Sequence, residues 1–420
     1  MVFRRKHWRE KFELITKTSF SMKSLYCLVA AMALCCACSD DPALEGPDGA
    51  KLEPGKLYII AEVGDPATKS NAEGLVENGH PWVDGDEIRL FTLGYDAFTG
   101  AHNVTRYEGA DKLNKAYKYV AADRSWTNVE GAPITLSNIK ARMYAYSPSF
   151  PVSGNDFYNG DASLSPLNVP IVFNTPNKVD FLYGTHRNTK DGTTSASGDN
   201  SVDNGGSEHV NGTNLDYIDN KNSLLRLYLK HAQTYVRIRL LREAINPEKI
   251  YPGEGKVTAL EVMQLKAAVD QYGRDIHLPA DGEHGAGLPS KGYIDITTGL
   301  ISPTAYQVAK MTDLIDGGSK TSFMLNPTVA AGATPSYNEA YCLLAPCSSD
   351  MVRGFHIRID EVDFYIACSS AKKAVEWKAG FQYTYDLVLT GKGLELVKGE
   401  DGEVVTVKPW NDGGTTEGDF

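Results

Sequence analysis

The stretch LLRLYLKHAQTYVRIRLL, residues 224–241, limits the fold of this chain more than any other. Leu225, Leu227 and Leu229 alternate with Arg226, Tyr228 and Lys230. Further on, Val236, Ile238 and Leu240 alternate with Arg237 and Arg239. Each half reads as a β-strand with one buried and one polar face. Between them, across His231-Ala232-Gln233-Thr234, the apolar positions pass from odd to even numbers. No straight strand keeps one face buried through such a shift, so a bulge or bend is expected there. A helix would gather Leu225, Leu229, Ala232 and Val236 but strand Leu227 and Ile238 on other faces. Strands are therefore preferred.

The same patterning recurs along the chain. KLYIIAEV (56–63), DEIRLFTL (86–93), AYKYVA (116–121) and KARMYAYSP (140–148) are strand-like runs of the first half. In the second half come KVTALEVM (256–263), GYIDITTGLI (292–301), EAYCLLAP (339–346), QYTYDLVLTG (382–391) and GEVVTVKPW (402–410). GFHIRIDEVDFYIAC (354–368) carries Asp360, Glu361 and Asp363 between two alternating arms, as a hairpin or as one long strand with a charged edge. Short strands separated by turn residues, with scarcely any 3.6-residue period, indicate an all-β sandwich or barrel. A chain of 420 residues also exceeds what one core usually serves, so two domains are expected. Residues 184–220, rich in Gly, Ser, Thr, Asn and Asp, supply too little apolar surface to offset ordering. They read as a flexible loop between an N-terminal sandwich (57–183) and a C-terminal one (221–420).

The start of the chain points to export. Leu25–Leu34 is an apolar run of ten residues, about half of what a bilayer-crossing helix needs. Lys23 precedes it and small residues follow, the pattern of a secretory signal peptide. Residues 1–21 would make an overlong basic region and read as an over-extended gene start, with the signal peptide at 22–37. The alternative is an uncleaved anchor with a basic tail. Ala37-Cys38 closes the apolar run like a bacterial lipobox, and Ser39-Asp40-Asp41 follows at once. Cys38 is thus the expected lipid-attachment site, with Cys36 as the alternative. Residues 38–56 read as a tether.

Little in the sequence suggests chemistry. It lacks GxSxG, HExxH, Walker and GxGxxG patterns, so no catalytic residue is assigned. Of the histidines, His231 stands out because it sits inside the parity shift, where a packed, hydrogen-bonded role is expected. Asp84 and Asp86 flank a glycine in WVDGDEI, ordinary turn chemistry. Trp82, Trp126, Trp377 and Trp410 read as packing residues or as a sugar-stacking platform. Cys342, Cys347 and Cys368 fit no zinc spacing and read as buried small hydrophobes or one optional disulfide. No metal or cofactor is expected. Seven Lys or Arg against two Glu in residues 1–37 leave the rest of the chain at −16 out of a total of −11. That sign speaks against a nucleic-acid partner.

A set of motifs in a fixed order adds a family resemblance. It comprises Cys38, ATKS (67–70), WVDGDEIRLF (82–91), YKYVAADRSW (117–126), RMYAYSP (142–148) and DFLYG (180–184). It continues with LYLKHAQTYVRIRL (227–240), GKVTALEV (255–262), IDITTG (294–299), WKAGFQYTYDLVLTGKGLEL (377–396) and VKPW (407–410). In these the chain resembles the fimbrillin family of the Bacteroidales, lipoprotein pilus subunits and related surface proteins. The resemblance implies two tandem transthyretin-like β-sandwich domains. It also implies a lipid (palmitate-bearing) anchor in the outer membrane, and a place on the cell surface or in a fimbrium. Partners would be other fimbrial subunits, in a homo- or hetero-polymer, and host or bacterial surface ligands.

In that scheme a protease removes the first strand, here LYIIAEV (57–63), and a neighbour's strand fills the groove. The donor would come from 394–410, with Val405 and Val407 on one side and Val404 and Thr406 on the other. One departure stands out. No arginine lies between Cys38 and Arg89, and Lys69 occupies the place where an arginine is common in the family. Arg89 itself falls inside an expected strand. Either Lys69 is the processing site or the first strand stays, which would suit an anchor, a terminator or a monomeric surface protein. The loop-rich 184–220 stretch, more than a bare stalk repeat needs, also leaves a tip role open. The rival reading is a monomeric glycan-binding surface lipoprotein.

Overall fold

The computed structural model describes residues 52–63, 82–94, 105–106, 114–139, 141–148, 168–174, 179–186, 218–221, 223–296, 299–311, 322–347, 352–368, 376–398 and 405–409. Along the chain the first strands are β1 (Tyr58–Val63), β2 (Glu87–Gly94), β3 (Thr105–Arg106), β4 (Lys115–Val120), β5 (Ser125–Asn128), β6 (Ala141–Ser147), β7 (Asn168–Val172) and β8 (Leu182–His186). Then come β9 (Leu224–His231), β10 (Thr234–Arg242), β11 (Lys256–Val269), β12 (Asp275–Pro279), β13 (Leu288–Asp295), β14 (Ile301–Gln307), β15 (Ala309–Lys310) and β16 (Phe323–Met324). The last are β17 (Asn338–Leu344), β18 (Arg353–Ile359), β19 (Val362–Ala367), β20 (Phe381–Thr390), β21 (Gly393–Leu396) and β22 (Thr406–Pro409). Apart from a single 3-10 turn at Pro247–Lys249, the regular structure of the described residues is all-β, as the alternating runs require.

Among the described residues the strands form four sheets. The largest has eight strands in the order β1-β9-β8-β6-β2-β4-β5, with β3 added beside β2. One of its faces carries Ile59, Val63, Ile88, Leu90, Leu225, Leu227 and Leu229 in a common core with Ile134 and Leu136. A second core joins Phe91, Tyr146, Phe181 and Tyr183 to Val169, Ile171 and Ile294 of the three-stranded sheet β14-β13-β7. That is one sandwich. The other core lies between β17-β10-β20-β21 and β12-β11-β18-β19, and it collects Val236, Ile238, Leu240, Val262, Phe355, Ile357, Trp377, Tyr385 and Leu387.

The parity shift at 231–234 marks where the chain leaves one sheet for another. Strand β9 belongs to the eight-stranded sheet and β10 to the five-stranded one, so odd positions face one core and even positions a different core. The crossing is pinned on both sides. Phe181 accepts from the Ala232 amide at 2.8 Å and donates its own to the Gln233 Oε1 at 2.9 Å. The Gly380 amide donates to the Gln233 carbonyl at 2.9 Å. His231 is buried there and its Nδ1 meets the Asp180 Oδ2 at 2.8 Å. This is the structural role expected of it. The handover between sheets therefore lies at 231–234, beyond the 184–220 stretch. Residues 187–217 of that stretch lie outside the described residues.

Other expectations need correction. GYIDITTGLI is not one strand: β13 ends at Asp295, Gly299 turns with φ +79°, and β14 starts at Ile301. Strand β11 runs to Val269, six residues past the apolar run that announces it. Strands β5, β7, β12 and β21 carry no alternation long enough to be read. The 354–368 segment is a hairpin. Its turn residues Asp360 and Glu361 have φ of +48° and +64°, both left-handed as a two-residue primed turn needs.

Asp360 tolerates that strain because its carboxylate is held. Its Oδ2 accepts the Gly255 amide at 2.8 Å and its Oδ1 the Lys256 amide at 2.9 Å. Desolvation pushes the carboxyl up, but these backbone donors together hold it below its usual range. A depressed carboxyl contributes stability that is present above the unfolded pKa of about 4 and is lost as pH falls through the folded value. Asp360→Asn is accordingly expected to flatten the drop of the thermal midpoint between pH 5 and pH 2. An unchanged slope in that variant would contradict the assignment.

Candidate functional site

Several sequence candidates resolve into packing. Asp84 and Asp86 are turn caps: the Asp86 Oδ2 accepts the Val83 amide at 2.9 Å, and the Asp84 Oδ1 accepts the Ala121 amide at 3.0 Å. Gly85 between them has φ +96°. Trp377 is fully buried and its Nε1 donates to the Tyr385 hydroxyl at 2.9 Å. Trp82 and Trp126 meet edge to face with centroids 5.0 Å apart and pack on the core beneath β1. Three of the four tryptophans thus serve cores, and Trp410 lies outside the described residues. Among the described residues, Cys342, Cys347 and Cys368 form no disulfide. Burial pushes the Cys368 thiol well above its ordinary value, which suits a buried small hydrophobe. No group of acidic, His or Cys side chains among the described residues is arranged to hold a metal.

What remains is a feature of the backbone. Among the described residues, strand β1 stands at the end of the eight-stranded sheet and pairs in parallel with β9, from Tyr58 opposite Leu224 to Val63 opposite Leu229. Its neighbour is thus not the next strand in sequence but one far along the chain. Ile59 and Val63 are 4% and 5% exposed and sit in the core beside Leu225, Leu227 and Leu229, on the same face of the sheet. Just before it, the Leu136 amide donates to the Gly55 carbonyl at 2.8 Å and the Tyr58 amide to the Ser223 carbonyl at 3.0 Å. Strand β9 keeps β8 on its other side, with five paired positions from Leu182–His231 to His186–Leu227. Taking β1 away would therefore open an apolar slot along β9 and leave the rest of the ladder paired.

The edge is not left bare. The Trp82 Nε1 donates to the Ala61 carbonyl at 2.8 Å. Strand β5, the opposite end of the sheet, comes alongside β1, and Trp126 belongs to β5. The two indoles fill the seam where the sheet nearly meets itself. The sequence offers Trp82 as a packing residue or a sugar-stacking surface, not as a partner of the β1 backbone. Its one signal was its place directly before the Asp84–Asp86 turn, which fixes it against β4 through the Gly85 amide and the Tyr119 carbonyl at 3.0 Å.

The expected processing and donor residues fare unevenly. Cys38 and Lys69 lie outside the described residues. Arg89 is in mid-strand in β2, flanked by β4 and β6. Its guanidinium donates to the Asn114 carbonyl at 3.0 Å and pairs with Glu130 at 2.7 Å, so it makes a poor cleavage site. Of the donor residues, Val404 is outside the described residues, Val405 packs partly on the C-terminal core, and Thr406 and Val407 are exposed. Strand β22 is short and, among the described residues, pairs with Phe381–Thr384 of β20.

No family model matches the chain, and no curated protein sequence does. Solved structures similar to it come from cell-adhesion and fimbrial proteins of the Bacteroidales. One is a candidate cell adhesion protein from Bacteroides uniformis, 13% identical, covering 85% of this chain and 100% of that one, with a TM-score of 0.45. Another is the tip fimbrial protein Mfa3 from Porphyromonas gingivalis with a C-terminal truncation, 7% identical, covering 84% and 99%, with a TM-score of 0.36. A third is the fimbrial anchor protein Mfa2 from the same organism, 10% identical, covering 86% and 99%, with a TM-score of 0.34.

Proposed function

We propose that this chain is a fimbrillin-like structural and adhesive subunit of the bacterial surface, anchored to the outer membrane through lipid on Cys38. In this reading it assembles with other subunits by exchange of the strand that fills the β1 slot. One observation carries the reading: among the described residues β1 ends its sheet, with β9 as its parallel strand partner and two side chains in the core, an arrangement that suits replacement without dismantling the sheet. Backbone bonds to β9 would supply affinity, and the positions of Ile59 and Val63 would supply selectivity. A donor fits the other end of the chain, where β22 pairs along four residues and exposes Thr406 and Val407. Lys69, between β1 and β2, is the processing site in this scheme.

The test is the intact mass and N-terminal residue of the protein taken from its native cells. A membrane form beginning at acylated Cys38, and a polymeric form beginning at Ser70, are the expected results. Polymers whose every chain still holds residues 57–63 would end the strand-exchange reading, and a Cys38 without lipid would end the anchor.

A further inference from the structure

We infer that Trp82 is a clamp on the β1 slot, a positioning residue that sets how readily the strand there is released; this rests on the strand-exchange reading. In a parallel pair, alternate residues of a strand turn their backbone groups to the partner. The Tyr58 amide bonds to the Ser223 carbonyl of the β9 side. By that alternation Tyr58, Ile60 and Glu62 turn their backbone groups to β9, while Ile59, Ala61 and Val63 turn theirs to the opposite side of the strand. The Ala61 carbonyl is therefore an edge acceptor, and it is the one the Trp82 indole takes at 2.8 Å.

Trp82 is well placed to hold. It stands immediately before the Asp84–Gly85–Asp86 turn, which is tied to β4 by the Gly85 amide and by the Tyr119 amide, whose bond to the Asp86 carbonyl is 2.8 Å long. Behind it Trp126 packs edge to face at 5.0 Å, and Tyr119 meets Trp126 at 5.2 Å. Position 82 also lies beyond the 64–81 connection. Cutting that connection anywhere would leave β1 covalently joined only to the residues before it and leave the clamp on the folded body. A nicked subunit would so keep its strand until a competitor displaced both the β9 ladder and the indole bond.

Hydrogen exchange on the intact full chain tests this, read at the Tyr58, Ile60 and Glu62 amides and at amides of β6 and β8. In the native protein the β1 amides are expected to exchange faster than those of β6 and β8, as a separately opening strand does. In Trp82→Phe, which keeps a ring and removes the donor, β1 exchange should rise about fivefold while β6 and β8 stay unchanged. Trp126→Phe, which loosens the support and leaves the donor, should raise it roughly threefold and stands in if Trp82→Phe does not fold. A separately opening β1 that neither substitution accelerates would overturn the clamp and leave the slot intact. Exchange of β1 only together with β6 and β8 would overturn the slot reading itself.

Discussion

Replacing Gly184 by alanine is expected to lower stability by about 3 kcal/mol or more, enough to leave much of the protein insoluble on expression. Gly184 sits in the middle of β8, with Ala145 of β6 on one side and Leu229 of β9 on the other. A Cβ there would stand 2.1 Å from the Tyr228 carbonyl oxygen and 2.9 Å from the Leu229 Cδ2. The first obstacle is backbone, so no side-chain rotation relieves it. Moving β9 outward would strain the same ladder that holds β1, and moving β8 would strain β6. The sheet has strands on both sides and a core on both faces, so there is no direction in which it can give cheaply. Gly282, whose added Cβ would meet nothing within 4 Å, is the control. Alanine there is expected to change stability by no more than about 0.5 kcal/mol. Denaturant midpoints of the two variants decide the matter, and equal midpoints would refute it.

Local rules made part of this fold legible. The alternation in 224–241 identifies two strands, and its parity shift locates the change of sheet, because each sheet fixes which parity is buried. The acidic turn in 354–368 and the Asp-Gly-Asp turn at 84–86 follow from turn chemistry alone. What stayed hidden is non-local. Nothing around Tyr58–Val63 says that its partner is Leu224–Leu229, or that the two run parallel. The three-stranded sheet draws β7 from the first half of the chain and β13 and β14 from the second, so a boundary drawn by composition cannot describe it. Strands as short as Ser125–Asn128 carry too few residues for a period to show. The Trp82 bond to Ala61 joins an indole to a main-chain carbonyl, which has no side-chain signature at all.

A chain that begins at Trp82, and so lacks β1, is expected to remain folded but to lose several kcal/mol of stability and to associate with itself. The loss follows from what β1 contributes. Burying two side chains the size of Ile59 and Val63 is worth roughly 1.5–3 kcal/mol each, and the ladder to β9 adds a smaller net amount per bond. Domains of ordinary stability hold about 5–15 kcal/mol, so the remainder stays near or above the threshold while β9 becomes an open apolar edge. A synthetic peptide of sequence LYIIAEV, added in excess, should raise the thermal midpoint and return the chain to a monomer on size-exclusion chromatography. The same peptide with aspartate at the positions of Ile59 and Val63 should do neither, since it keeps the backbone donors and loses the core contacts. If both peptides restore the monomer equally, backbone pairing alone fills the slot and it has no selectivity. If neither does, the apolar edge beside Leu225, Leu227 and Leu229 is not open to an incoming strand. Restoration by the native sequence alone would mean that the energy holding β1 is large enough to favour one occupant. It would also be small enough, beside the stability of the whole, for that occupant to be exchanged.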